Sequence, residues 1–224
     1  MKTEGRFEGF SPETLDFMWG IRMNNNKPWF EAHKSDYVNY LYEPMKALGA
    51  ELFGPYKDTP GMLLKVARIY RDMRMHPPEP YRDGLWLSIR PQAEDWAPLA
   101  TFYFGIDPEG ADYGMGVWRP SPAMMERFRR DLAARPQVFP ALLRDAEEKS
   151  GLKLTAEVYK RPKPCPMPEL EEFYSWKGKL SAGVRLAPGE ELFTHDLADR
   201  IADFITAWLP VAQYFWTLAG ENEG

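Results

Sequence analysis

Apolar and polar positions follow a helical period at both ends of the chain. Residues 12–23 place apolar side chains at helical spacing behind a capping serine and a proline, which favours a helix start. The run Asn24-Asn25-Asn26 predicts the end of this helix, and 28–41 repeats the helical pattern. Residues 194–209 form the clearest amphipathic pattern, and Pro210 predicts a kink.

The middle of the chain changes to the two-residue period of strands. Residues 66–72, 85–90, 101–106 and 113–118 alternate or carry β-prone aromatic runs. The turn sequence at 107–110 predicts that the last two of these strands form a hairpin.

The second half mixes short elements with loops. The pattern predicts helices at 123–134 and 136–149, an extended proline-rich loop at 161–168, a short helix at 169–176 and a strand at 183–186. Helices at both ends around a block of strands indicate α+β. We therefore predict a single domain over 1–224: an antiparallel sheet of four to five strands flanked by N-terminal and C-terminal helices, largely on one face, with an acidic tail at 216–224.

Charge and composition narrow the function class. The 224 residues carry a net charge of -5, and residues 186–224 contain seven acidic residues against one basic residue. Nucleic-acid binding needs a strong basic surface, which this balance disfavours. No run approaches the roughly 20 apolar residues of a membrane span. The single Cys165 excludes a disulfide scaffold and favours a reducing compartment, so we expect a cytoplasmic protein without membrane contact.

Strong catalytic motifs are absent from the sequence. There is no phosphate-binding loop, dinucleotide fingerprint or nucleophile elbow. The histidines at 33, 76 and 195 lie far apart, without metal-ligand spacing. We therefore expect no metal and no cofactor, and we assign no catalytic residue.

One dense polar segment, 68–74, contains three arginines and an aspartate. Guanidinium groups bind carboxylate or phosphate bidentately. The segment thus predicts a pocket for a small anionic ligand, with Asp72 orienting an arginine and Tyr81 closing the site. The predicted ligand-binding residues are Arg68, Arg71, Asp72, Arg74, Tyr81, Tyr70 and Tyr103, with a secondary rim of Asn26 and Trp29.

Two alternatives stay open at this point. The arginines could form a purely structural network with acids such as Glu31, Asp36 or Glu43. In that case the chain could be a protein–protein interaction or self-association module, a homo-oligomer for example, that uses the surfaces 161–168 and 214–218. A reaction at the arginines would need a general base, for which Asp72 and Glu79 are the nearby residues.

Several segments together resemble the family catalogued as domain of unknown function family 2461, which is mainly bacterial. The resemblance runs from about Phe7 to about Phe215 and includes 10–17, 24–32, 68–74, 103–122 and 160–162. The family's Arg-x-x-Arg-Asp-x-Arg signature, followed by a tyrosine, matches at Arg68, Arg71, Asp72, Arg74 and Tyr81. Met75 stands where the family has a phenylalanine, and the signature lysine that follows is missing. The family has no assigned activity, so the resemblance supports the fold more than a function.

Overall fold

In the computed structural model, which describes residues 6–75, 77–161 and 163–220, the N-terminal apolar pattern forms a series of helices. They are α1 (Pro12–Met23), α2 (Lys27–Ala32), α3 (Lys34–Asp36), a π-helical segment (Tyr37–Tyr42) and α4 (Glu43–Phe53). The Asn26 side chain caps α2 by accepting a hydrogen bond from the Trp29 backbone at 3.0 Å. The asparagine run therefore separates two helices, as predicted.

A buried hydroxyl joins α1 to the π-helical segment. Pro44 has no N–H, so it donates no hydrogen bond to the Tyr40 carbonyl four residues earlier. Thr14, whose side chain is buried, donates its Oγ1 hydrogen to that carbonyl at 2.5 Å. The hydroxyl supplies a donor to a main-chain oxygen beside a helix irregularity.

The middle of the chain forms a six-stranded antiparallel sheet, one strand more than the predicted maximum. Its strands are β1 (Met62–Val66), β2 (Leu85–Pro91), β3 (Thr101–Asp107), β4 (Gly110–Val117), β5 (Thr155–Val158) and β6 (Trp176–Leu186). The strand order is β1-β2-β3-β4-β6-β5. Thr155 is paired with Ser181 and Ala156 with Leu180. The α+β prediction is confirmed, including the β3 and β4 strands on either side of the predicted turn.

Two strand predictions were wrong in extent, and one strand was not predicted. β1 ends at Val66, where the predicted strand 66–72 was to begin. β5 lies inside a lysine- and proline-rich stretch for which no strand was predicted, and its side chains are mostly exposed. β6 begins at Trp176 rather than at residue 183. β5 and the start of β6 carry exposed polar side chains, so the apolar alternation typical of a strand is weak in these segments.

The remaining α-helices are α5 (Pro122–Ala134), α6 (Val138–Ser150), α7 (Glu171–Ser175) and α8 (Asp196–Gly220), and short 3-10 helices lie at Gly54–Tyr56, Pro168–Leu170 and Glu190–Leu192. α8 continues through Pro210, at which we predicted a kink. Tyr214, Phe215 and Leu218 on this helix are at most 9% exposed. The prediction that 214–218 forms an interaction surface is therefore wrong, because most of its large side chains belong to the core.

The chain contains two compact units, each with its own aromatic core. The first comprises the described residues up to Ile89, Tyr103–Tyr113 and Arg185–Ala202, and the second comprises the rest. In the first unit Phe10 stacks on Phe104, with ring centroids 5.7 Å apart. In the second Phe128 stacks on Trp176 at 5.7 Å. None of the described helices is both long enough and apolar enough to cross a bilayer.

Candidate functional site

The predicted anion site lies on the connection between β1 and β2, and its described residues, 67–75 and 77–83, are here called the arginine loop. Its two arms pair outside the sheet, since the Arg71 N–H donates to Pro80 O at 2.8 Å and the Arg82 N–H to Ile69 O at 2.7 Å. An isolated antiparallel bridge joins Tyr70 to Tyr81. The segment is paired at this bridge but is not a strand of the sheet, and residues 73–75 form a turn.

Tyr81 anchors the arginine loop to the turn between α1 and α2. The Asn25 side-chain amide donates to Tyr81 O at 2.9 Å, and its Oδ1 accepts from the Tyr81 N–H at 3.0 Å. The Tyr81 ring is buried and stacks on Phe30, with centroids 4.3 Å apart. Burial raises the pKa of its hydroxyl. In this position Tyr81 holds the loop against α2. From the sequence we predicted that it closes the site.

Arg71 belongs to a network of ion pairs. Its guanidinium is 2.8 Å from Glu79 and 3.6 Å from Asp83. Asp83 also accepts from Arg22 Nε at 2.6 Å, and Arg22 pairs with both carboxylate oxygens of Glu109. The Glu109 pairing raises the pKa of Arg22 and lowers that of Glu109. Arg71 therefore already holds two carboxylates, neither of which is one of the acids proposed from the sequence.

The three acids proposed as partners lie elsewhere. Glu31 is 3.9 Å from Lys34, and Glu43 is 3.3 Å from Lys46. Asp36 accepts a long hydrogen bond from Ser35, at 3.5 Å. The sequence did not predict the pair Arg22 and Asp83, because the two residues lie 61 positions apart in the chain and no local pattern connects them.

Arg74 and Asp72 form a local pair at the tip of the arginine loop. Arg74 Nε is 3.0 Å from Asp72 Oδ1, and its Nη2 is 2.6 Å from Oδ2. The Arg74 side chain is 88% exposed. Asp72 thus positions one arginine, and its bidentate contact occupies one edge of that guanidinium.

Arg68 and Arg82 differ from the other two arginines. Within the part of the chain that the structure describes, the exposed Arg68 guanidinium forms no hydrogen bond or ion pair. Arg82 donates Nε to Arg68 O at 3.3 Å, which places it beside the same backbone, and it forms no ion pair with a described residue. Arg82 was not among the predicted site residues, although its position next to Tyr81 was a usable signal.

Tyr70 and Tyr103 occupy different surroundings. The Tyr70 ring is 52% exposed and lies 5.5 Å from the ring of Tyr81. Tyr103 lies on β3, where burial and the neighbouring Asp112 carboxylate raise its pKa. The structure therefore gathers Arg68, Tyr70, Arg71, Asp72, Arg74 and Tyr81 on one loop and carries Tyr103 on a strand.

The secondary rim falls on α2. Asn26 is the cap of this helix, and Trp29 lines a pocket of about 360 Å³ together with Glu13, Asp16 and Asp36. Among the described residues, no group of three or more histidine, cysteine or acidic side chains could hold a metal ion.

The chain matches the model of a known family. The model of the family described as Conserved hypothetical protein (DUF2461) matches residues 13–214, which is most of the chain. No curated protein matches the chain. The match covers α1, the arginine loop and the sheet, as the sequence resemblance predicted.

Proposed function

We propose that the arginine loop binds a small anionic ligand through Arg68 and Arg82. The chain belongs to the DUF2461 family, and its biochemical function is uncharacterised. The ligand carries a phosphate or carboxylate group. One observation supports this proposal: the Arg68 guanidinium is exposed and has no hydrogen-bond or ion-pair partner among the described residues.

The charge of the loop supports an external anion. The loop contains four arginines, at 68, 71, 74 and 82, and three carboxylates, at 72, 79 and 83. Those carboxylates contact Arg71, Arg74 and the nearby Arg22. The two remaining guanidiniums carry planar donor groups that suit phosphate or carboxylate oxygens.

The other predicted residues then support the site. Arg71 and its carboxylates fix the base of the loop, and Tyr81 fixes one arm against Phe30. The exposed Tyr70 ring supplies an apolar wall next to the bound group. Asp72 and Glu79 already accept hydrogen bonds from arginines, so we propose binding and no reaction.

The test is a titration with inorganic phosphate that is monitored by calorimetry and by amide NMR. Arg68→Ala and Arg82→Ala should each weaken phosphate binding by about tenfold or more, since a hydrogen bond to a charged group contributes about 1.5–3 kcal/mol. Arg74→Ala is the matched control, because it removes the same charge from a guanidinium that is already paired with Asp72. An equal loss in all three variants would indicate diffuse attraction and contradict the proposed site, as would the absence of binding to the wild type.

Self-association is a second candidate, and the sheet edge supports it. β5 is the last strand of the sheet order, and its Val158 is 55% exposed. An uncovered edge strand offers unpaired backbone groups to another copy. Light scattering should then show a dimer that Val158→Lys converts to a monomer, while Val138→Lys, at an exposed helix position, leaves it unchanged. A wild-type monomer would exclude this candidate.

The cytoplasmic location also stays a proposal, based on the single free Cys165.

A further inference from the structure

A pocket on the first unit combines aromatic walls with acidic groups. It has a volume of about 360 Å³, within the range of sites for small molecules. It lies among α1, α2, α3 and the π-helical segment, and is called here the α1–α2 pocket. It is separate from the arginine loop, and neither Arg68 nor Arg82 lines it.

The aromatic wall is fixed in place by its surroundings. Trp29 stacks on His33, with centroids 3.9 Å apart and planes 13° apart. His33 Nδ1 donates to the Trp29 carbonyl at 2.8 Å, which holds its ring in this orientation. On α1, a Cβ on Gly20 would lie 2.5 Å from Trp29 Cζ2, so the indole packs directly on the backbone. The wall is therefore preorganised.

The carboxylates of the pocket have no cationic partner. Glu13, Asp16 and Asp36 line it, and none of them forms an ion pair with any residue that the structure describes. The neighbouring Ser11 hydroxyl lowers the pKa of Glu13, so that group is ionised at neutral pH. No lysine or arginine lines the pocket. The cavity therefore presents negative charge beside aromatic rings.

We propose that the α1–α2 pocket binds a small organic cation that carries an ammonium group. Tryptophan attracts such cations most strongly among the aromatic side chains, and here its ring stands beside exposed carboxylates. The carboxylates add Coulomb attraction across the cavity. A metal ion fits less well, because the described acidic side chains do not form a group that could coordinate one.

The test uses choline as the probe and its neutral carbon isostere, dimethylbutanol, as the shape control. Binding is followed by calorimetry and by the indole N–H signals in NMR spectra, with sodium chloride as the ionic-strength control. Choline should bind and shift the Trp29 signal, whereas dimethylbutanol should bind at least tenfold more weakly because it lacks the charge. Equal binding of the two probes, or no binding of choline, would overturn the proposal.

Variants locate the binding. Trp29→Leu should weaken choline affinity about tenfold, and Asp16→Asn severalfold. Trp19→Leu and Glu31→Gln are the matched controls, because Trp19 is 41% exposed and neither residue lines the pocket. If Trp29→Leu fails to fold, the comparison of Asp16→Asn with Glu31→Gln decides, since both positions are exposed. Choline binding that Asp16→Asn leaves unchanged would place the cation elsewhere and refute the site.

Discussion

The two hydrogen bonds from the Asn25 side chain to the Tyr81 backbone make a specific prediction about the substitution Asn25→Asp. The carboxylate keeps the acceptor for the Tyr81 N–H but loses the donor to the Tyr81 carbonyl, 2.9 Å away. The lost hydrogen bond costs about 1 kcal/mol, and a carbonyl left facing a carboxylate oxygen adds about 1–2 kcal/mol. We therefore expect a loss of about 2–3 kcal/mol in the free energy of unfolding at neutral pH.

The pH dependence of Asn25→Asp provides a signature that simple removal of the amide lacks. When protonated, the introduced carboxyl can donate to the Tyr81 carbonyl, so folding raises its pKa above the ordinary aspartate value of about 3.9. The variant is then relatively stable below that value and loses stability as the pH rises to the raised pKa. Asn25→Ala, which removes both hydrogen bonds, should show a deficit of about 2 kcal/mol without this pH dependence.

Urea unfolding, followed by circular dichroism over a series of pH values, measures these differences. Asn24→Asp is the control, because it adds the same charge in the same turn while its amide contacts Gly20 O at 3.0 Å in an exposed position. The control should cost less than about 1 kcal/mol. An Asn25→Asp deficit no larger than that of the control, or one that does not shrink in acid, would refute the anchoring role of this side chain.

Three further predictions concern the first unit. A double-mutant cycle of Arg22→Ala and Asp83→Ala should give a coupling of about 0.5–1 kcal/mol that decreases in salt, because both side chains are 29% exposed; zero coupling would contradict the network. Gly84→Ala should destabilise the protein by about 3 kcal/mol or prevent folding, because its Cβ would lie 2.4 Å from a β3 carbonyl. The control Gly54→Ala places its Cβ with no atom within 4 Å and should change the stability measured by thermal unfolding by less than about 1 kcal/mol. Burial raises the pKa of Asp112 above 3.8, so the wild type should lose stability relative to Asp112→Asn as the pH rises from that value in urea titrations; a wild type that gains stability relative to this variant as the pH rises would contradict this.

Short-range signals in the sequence predicted much of the fold. The proline at residue 108 and the glycine at 110, between two aromatic strands, correctly predicted the turn between β3 and β4. β5 escaped prediction because an exposed edge strand of four residues carries little apolar periodicity. The extended segment 66–72 was taken for a sheet strand because two paired arms of a loop share the backbone geometry and alternation of strands.

The candidate site was predictable in composition but not in pairing. The arginines of the loop stand out in the sequence, yet which guanidiniums hold carboxylates depends on folding. Arg22 reaches Asp83 across 61 residues, and this contact draws Asp83 into the network that also holds Arg71. The α1–α2 pocket was equally hidden, because its acids come from α1 and α3 and acquire a common cavity only when these helices pack.

The hydrogen bond between Thr14 and the Tyr40 carbonyl carries an evolutionary consequence. Pro44 brings no amide hydrogen to this stretch of helix, so the Thr14 hydroxyl adds a donor that the backbone of residue 44 does not supply. Homologues should therefore vary at the two positions together: those that keep the proline should keep threonine or serine at position 14, and those that lose it should be free to place alanine or valine there.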